Sequence, residues 1–224
     1  MTFAFDDVPN SFQRLARSDL SGVFEAHVTI AASGEDARRF GHWCDASGVK
    51  HVFISLPRGV CTFQPMTATY HRGGFADVRA EVFGLARTIA KAGFRVSRVK
   101  IEATGANTGL PQTRAEALCA PENYFEFHLK VVLRDPAERA ALEAVVRPFS
   151  AHLSRNARSV SADGTESRFV TLRAYGVGQP EADSMFRALE AAIRELGLPI
   201  SNRLREYTVF DSNVELDSGW LEAA

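Results

Sequence analysis

The sequence predicts an α+β fold in which one βαββαβ plan is used twice. Three observations predict it. The strand-like segment Phe24-Glu25-Ala26-His27-Val28-Thr29-Ile30 returns 101 residues later as Phe125-Glu126-Phe127-His128-Leu129-Lys130-Val131, in the frame F-E-x-H-[VL]-x-[IV]. Further matches run at an offset of 104: Gln64–Thr69 with Arg168–Arg173, Gly93-Phe94 with Gly197-Leu198, and Ser97–Thr104 with Ser201–Thr208. Stretches of period two and of helical period then follow one another in the same order in each half. The change of offset from 101 to 104 puts about three extra residues in the second half, between its first and third strands.

In the first half, residues 24–30 alternate like a half-buried strand. Gly34-Glu35-Asp36 supplies an acidic first turn, which suits the positive end of a helix dipole, and the helix continues to about Gly48. Residues 50–56 form a short apolar strand ended by Pro57-Arg58-Gly59, and 62–70 form a third strand with a turn after it at Gly73-Gly74. Residues 77–92 are helical, with Val78, Val82, Leu85 and Ile89 on one face and Gly93 at the stop. A fourth strand, 96–103, closes the half.

Residues 105–123, with Gly105, Gly109, Pro111 and Pro121, read as a linker. The second half starts at Tyr124. Its first helix begins at Pro136, a residue suited to a first turn, and runs to about Val146, with Pro148 interrupting the pattern. Residues 154–167, rich in Arg, Asn, Ser, Asp and Gly, read as a degraded second strand followed by a mobile loop. A last helix over 181–196 stops at Gly197. Strand, helix, strand, strand, helix, strand is the ferredoxin-like order. The expected organisation is therefore two tandem ferredoxin-like halves related by internal duplication, 20–104 and 124–211, with a tail over 212–224.

Bulk properties narrow the functional classes. A chain of 224 residues, 46% hydrophobic and 24% charged, is that of an ordinary globular protein. Its formal charge of −1 gives no general attraction to nucleic acid or to an anionic membrane. No apolar run approaches the ~20 residues of a membrane span, and Met1–Asp7 lacks the basic-then-apolar start of a signal peptide. Cys44, Cys61 and Cys119 are odd in number and widely spaced, which points to free thiols and a cytoplasmic location. His42-Trp43-Cys44 lacks the second close pair of a zinc site. Residues 211–222 place oxygen-bearing side chains at alternate positions, but Leu216 stands where a calcium loop needs glycine. Neither metal nor cofactor is expected.

Strand alternation locates the candidate site. Phe24, Ala26, Val28 and Ile30 point one way, towards the helices, and Glu25, His27 and Thr29 the other; Glu126, His128 and Lys130 do the same in the second half. Arg98, Lys100 and Glu102 share a face of the fourth strand, Thr67 and Thr69 of the third, and Thr171 and Arg173 of its counterpart. Histidine exchanges protons near neutrality, and lysine and arginine hold phosphate oxygens. Ala151–Arg158, with one histidine, two arginines and an asparagine, reads as a solvated connector that could alternatively serve as a phosphate-gripping flap.

His27-Val28-Thr29, with a second His-x-polar strand about a hundred residues on, resembles the paired H-x-[ST] motifs of the 2H phosphoesterases. That resemblance implies two histidines facing each other across a cleft as acid and base, with hydroxyls binding phosphate and no metal. His27 and Thr29 match the first motif and His128 the second, where Lys130 stands in place of Ser or Thr. A second resemblance is of Glu126-Phe127-His128-Leu129-Lys130 to the E-x-E-x-K strand of the CYTH triphosphate-tunnel proteins, with histidine for the middle glutamate. It implies that Arg168–Arg173 and Arg203–Glu206 are basic strands binding polyphosphate.

The leading expectation is a cleft for a small anionic, phosphorylated ligand, with metal-independent phosphodiester hydrolysis by His27 and His128. Thr29, Thr67, Lys100, Lys130 and Arg173 would hold the anion, and Glu25, Glu102, Glu126 and Glu206 would orient the groups around it. The alternative is a non-catalytic binding or self-association protein, homo-oligomeric through its sheets, in which the glutamate–histidine pairs are satisfied inside a buried polar interface between the halves.

Overall fold

The structure, a computed structural model, describes residues 19–156 and 165–220. Its contacts divide the chain into two compact units. Of the described residues, 19–53, 63–110 and 207–214 form the first, and 54–62, 111–156, 165–206 and 215–220 the second.

The first unit is built on β1 (Ser21–Ile30), α1 (Gly34–Ala46), the first residues of β2 (His51–Ser55), β3 (Phe63–Thr67), β4 (Thr69–Gly74), α2 (Phe75–Lys91) and β5 (Val96–Thr104). β5 lies on one side of β1, β3 and β4 lie on the other, and β2 lies beyond β3. Alternation along β1 puts Phe24, Ala26, Val28 and Ile30 in the core with Phe40 and Cys44 of α1 and Val78, Val82, Ala86 and Ile89 of α2. Phe40 meets Phe94 edge to face at 5.3 Å. Leu85, expected on the buried helix face, is half-exposed; Phe83 and Ala86 take its place because the apolar stripe drifts round the helix.

The second unit contains α3 (Arg114–Ala117), β6 (Tyr124–Leu133), α4 (Pro136–Val146), β7 (His152–Asn156), β8 (Glu166–Tyr175), α5 (Gln179–Glu195) and the first residues of β9 (Ile200–Asp211). Its strands lie in the order β9, β6, β8, β7, which is last, first, third, second, as in the first unit. α4 starts where the sequence places it because Asp135 accepts from the Glu138 N–H at 2.8 Å while Glu138 accepts from the Arg134 N–H at 2.7 Å, a reciprocal cap, with Pro136 preset for the first turn. Phe127 and Phe186 stack at 4.7 Å in a core with Leu129, Leu142, Leu189 and Ile193.

Several expected boundaries move. β1 begins at Ser21 rather than 24. The third strand over 62–70 is two strands, β3 and β4, which both pair with β1. Gly73-Gly74 is not a turn. Gly73 lies in β4 opposite Gly22, a cross-strand pair without side chains, and α2 follows directly at Phe75. The polar stretch after 150 conceals β7, which pairs with β8 and with Ile54 and Ser55, both residues of the second unit. β8 begins at Glu166, and residues 157–164 of the expected loop lie outside the described residues. The linker holds α3, capped by Thr113, and the expected tail holds a 3-10 turn over Val214–Asp217. No described helix is long and apolar enough to cross a membrane.

Gly178, at the N-terminus of α5, is required by proximity: a Cβ there would sit 2.3 Å from the Gln112 carbonyl oxygen. Gly178→Ala is expected to destabilise the protein by about 1–3 kcal/mol, read as a lower midpoint of denaturant unfolding.

Candidate functional site

In the first unit, the face of β1 away from the helices carries Glu25, His27 and Thr29. The antiparallel register with β5 sets Glu102 opposite Glu25, Lys100 opposite His27 and Arg98 opposite Thr29. All of these except His27 are buried, and the His27 side chain keeps 17% exposure. Such a set is tenable only if the charges are matched.

His27 is held at both ring nitrogens. Nδ1–H donates to the Thr67 carbonyl at 2.9 Å, and Nε2 lies 3.4 Å from Glu102 and 3.9 Å from Glu25. Glu25 also accepts from the Tyr70 hydroxyl at 2.8 Å. Glu102 pairs with the Lys100 ammonium at 2.7 Å and accepts from Thr208 at 3.2 Å. Burial works against a charged imidazole, but the hydrogen bond and charge of Glu102, aided by Glu25, outweigh it and a smaller opposing push from Lys100. His27 therefore keeps its proton above its ordinary value.

Beside it, Arg98 forks onto Asp211, with Nε 2.8 Å from Oδ1 and Nη2 on Oδ2. Burial alone would raise the Asp211 carboxyl, but the charge and hydrogen bonds of Arg98, with Lys100 beyond, hold it down at about 2. Thr67 serves the fold, its hydroxyl accepting from the Val28 N–H at 3.0 Å. Thr29 Oγ1 is buried and has no hydrogen-bond partner among the described residues.

The second unit repeats the central motif. In the β6–β8 register Arg173 stands opposite Glu126 and Thr171 opposite His128. His128 Nδ1 is 3.0 Å from the Thr171 hydroxyl, and Nε2 is 3.6 Å from both Glu126 and Glu206. Arg173 donates through Nε to Glu126 and through Nη2 to Asp217 at 2.7 Å, with its guanidinium 4.6 Å from the Tyr124 ring centre. Lys130 is half-buried and has no ion-pair partner among the described residues.

The candidate residues thus assemble as two like groups, Glu25–His27–Glu102 and Glu126–His128–Glu206. Lys100 and Arg173 are committed to carboxylates, Thr29 lies level with Arg98, and Lys130 stands apart. Sequence reasoning missed Tyr70, Asp211 and Asp217 as partners. Asp211 and Asp217 occupied the calcium-loop pattern, yet each neutralises an arginine more than 40 residues away. Among the described residues no three His, Cys, Asp or Glu are placed to hold a metal ion. Cys44 is buried, and loss of hydration with the Asp45 charge pushes its thiol up to about 12, so it is unreactive.

Two cavities lie in the second unit. One of about 440 Å³ is lined by Arg58, Arg147, His152, Leu153 and Trp220 among others, and one of about 550 Å³ by Phe149, Arg173, Val177 and Met185 among others. His27 and His128 line neither. His152, read as part of a connector, opens β7, whereas Arg58, Arg147 and Trp220 carry no sequence pattern that marks them.

No protein-family model matches the sequence. No curated protein matches it. Among solved structures, the chain is similar to the ligand-free regulatory subunit of aspartate kinase from Thermus thermophilus, at 13% identity and a TM-score of 0.30 over 78% of this chain and 95% of that one. It is also similar to the small subunit of acetolactate synthase from Thermotoga maritima, at 9% identity and a TM-score of 0.29 over 84% and 95%.

Two outcomes are expected. Because the His27 value is raised on folding, its stabilisation is complete below the ordinary histidine range near 6.5 and is lost as pH rises through the raised value. The difference in Tm between the wild type and His27→Gln should therefore shrink as pH rises above 6.5. Asp211→Ala, which leaves Arg98 buried and unmatched, should cost about 3–5 kcal/mol in chemical unfolding, against less than about 1 kcal/mol for Asp36→Ala at the exposed Arg39–Asp36 pair.

Proposed function

We propose that this is a non-catalytic, ligand-binding protein made by internal duplication, in which both Glu–His–Glu groups are structural ion networks. The duplication is supported by the shared strand order of the two units and by the matching positions of Glu25 and Glu126, His27 and His128, and Glu102 and Glu206. The observation that carries the non-catalytic reading is the state of His27: Nδ1–H is spent on the Thr67 carbonyl, and Nε2 faces Glu102. A general base needs a free lone pair within reach of its substrate, and a phosphate approaching Nε2 would meet two carboxylates first. Cys44, Cys61 and Cys119, which form no disulfide among the described residues, fit a reducing, cytoplasmic setting.

The second reading, metal-independent phosphodiester hydrolysis by His27 and His128, is favoured by Lys130, a cation on the same strand face without an ion-pair partner among the described residues. An assay of 2′,3′-cyclic nucleotides without divalent metal separates the two. On the structural reading there is no turnover above the uncatalysed background, and His27→Gln and His128→Gln each lower Tm by roughly 2–6 °C. Metal-independent turnover that disappears in His27→Ala, with the fold retained by circular dichroism, would overturn it.

A further inference from the structure

We infer that the 440 Å³ cavity of the second unit is a binding site for a small oxyanion carried on an apolar ring, an aryl carboxylate or aryl phosphate. This deepens the binding reading above and rests on it, although the site shares no residue with either Glu–His–Glu group.

The cavity is of the size that small-molecule sites occupy, and its wall is sorted by polarity. Val146, Ala151, Leu153 and Trp220 are buried and apolar, while Arg58, Arg147 and Glu143 are exposed at the edge. The lining carries two guanidiniums, Arg58 and Arg147, and one carboxylate, Glu143. Guanidinium forks match the paired oxygens of carboxylate and phosphate. The interior beneath that charged edge offers the Trp220 and His152 rings, whose centres are 6.1 Å apart at 57°, so a flat apolar body fits behind the anion.

The walls are fixed before any ligand arrives. Trp220 Nε1–H donates to the Leu153 carbonyl at 3.1 Å, which sets the indole against β7. The Val60 N–H donates to the Ser218 carbonyl at 2.9 Å, so the segment bearing Arg58 is seated on the turn that leads into Trp220. Gly59 permits this seat, with φ +109 and space so tight that a Cβ would lie 2.9 Å from that carbonyl oxygen. Ser150, which lines the cavity, is the one non-glycine described residue with positive φ, at 52°. Left-handed backbone at a non-glycine residue is costly and concentrates where a site constrains the chain. Here it follows the 3-10 turn Arg147–Phe149, which it closes through Ser150 N–H to the Arg147 carbonyl at 3.0 Å.

The chain has two tryptophans, so Trp43→Phe leaves Trp220 as the only indole reporter. Titration of that variant with benzoate and with phenyl phosphate is expected to change Trp220 emission saturably. Benzyl alcohol and inorganic phosphate, which keep only the ring or only the anion, should bind at least about tenfold more weakly. Arg147→Gln and Arg58→Gln, at exposed positions, should each weaken the aryl anion about tenfold, the loss of one charge-assisted contact. Calorimetric titration of the unmodified chain with the same compounds gives the affinity independently of the Trp43 substitution. No saturable binding of either aryl anion, or an affinity unmoved by both arginine variants, would overturn the site. Neither result bears on His27, whose role is read from cyclic-nucleotide turnover, so the two readings fail separately.

Discussion

A charge buried on a sheet face must be met by an opposite charge or the face cannot be buried, and in both units this requirement governs which side chains stand together. On β1 and β5 the register makes cross-strand neighbours of Glu25 and Glu102, His27 and Lys100, Thr29 and Arg98. Two of these pairs bring like charges together, and neither would be stable alone. The arrangement works because the attraction is diagonal: His27 to Glu102 and Glu25, Lys100 to Glu102, and Arg98 out to Asp211. In the second unit balance is reached across β6 and β8, a different pair of strands, with Arg173 opposite Glu126 and anchored further by Asp217.

This balance shapes the chemistry that the face can perform. The carboxylates around His27 stabilise its protonated imidazole, so up to a higher pH than usual the ring already carries the proton it would have to lose before it could act as a base. The same carboxylates repel a phosphate. In the proposed structural role, the paired histidines among acids and bases serve the electrostatic closure of a buried surface. Groups suited to an incoming anion lie elsewhere, at the rim of a cavity where Arg58 and Arg147 are exposed.

The sequence by itself determined the plan of elements and the sorting of strand residues onto faces. Both follow from local rules: alternation for strands, and helical spacing and reciprocal caps for helices such as α4. It also marked Glu25, His27, Glu126 and His128 as belonging to one kind of surface. Only the tertiary structure decided what that surface is. Whether His27 has a free nitrogen depends on Thr67, 40 residues on, and Glu102, and whether Arg98 can hold a ligand depends on Asp211, 113 residues away. No periodicity encodes partners at such separations, because they are chosen by strand register and by the burial of charge. Trp220 and Arg58 share the cavity for the same reason: the Val60–Ser218 contact and the small size of Gly59 bring their segments together, and neither leaves a trace in local pattern.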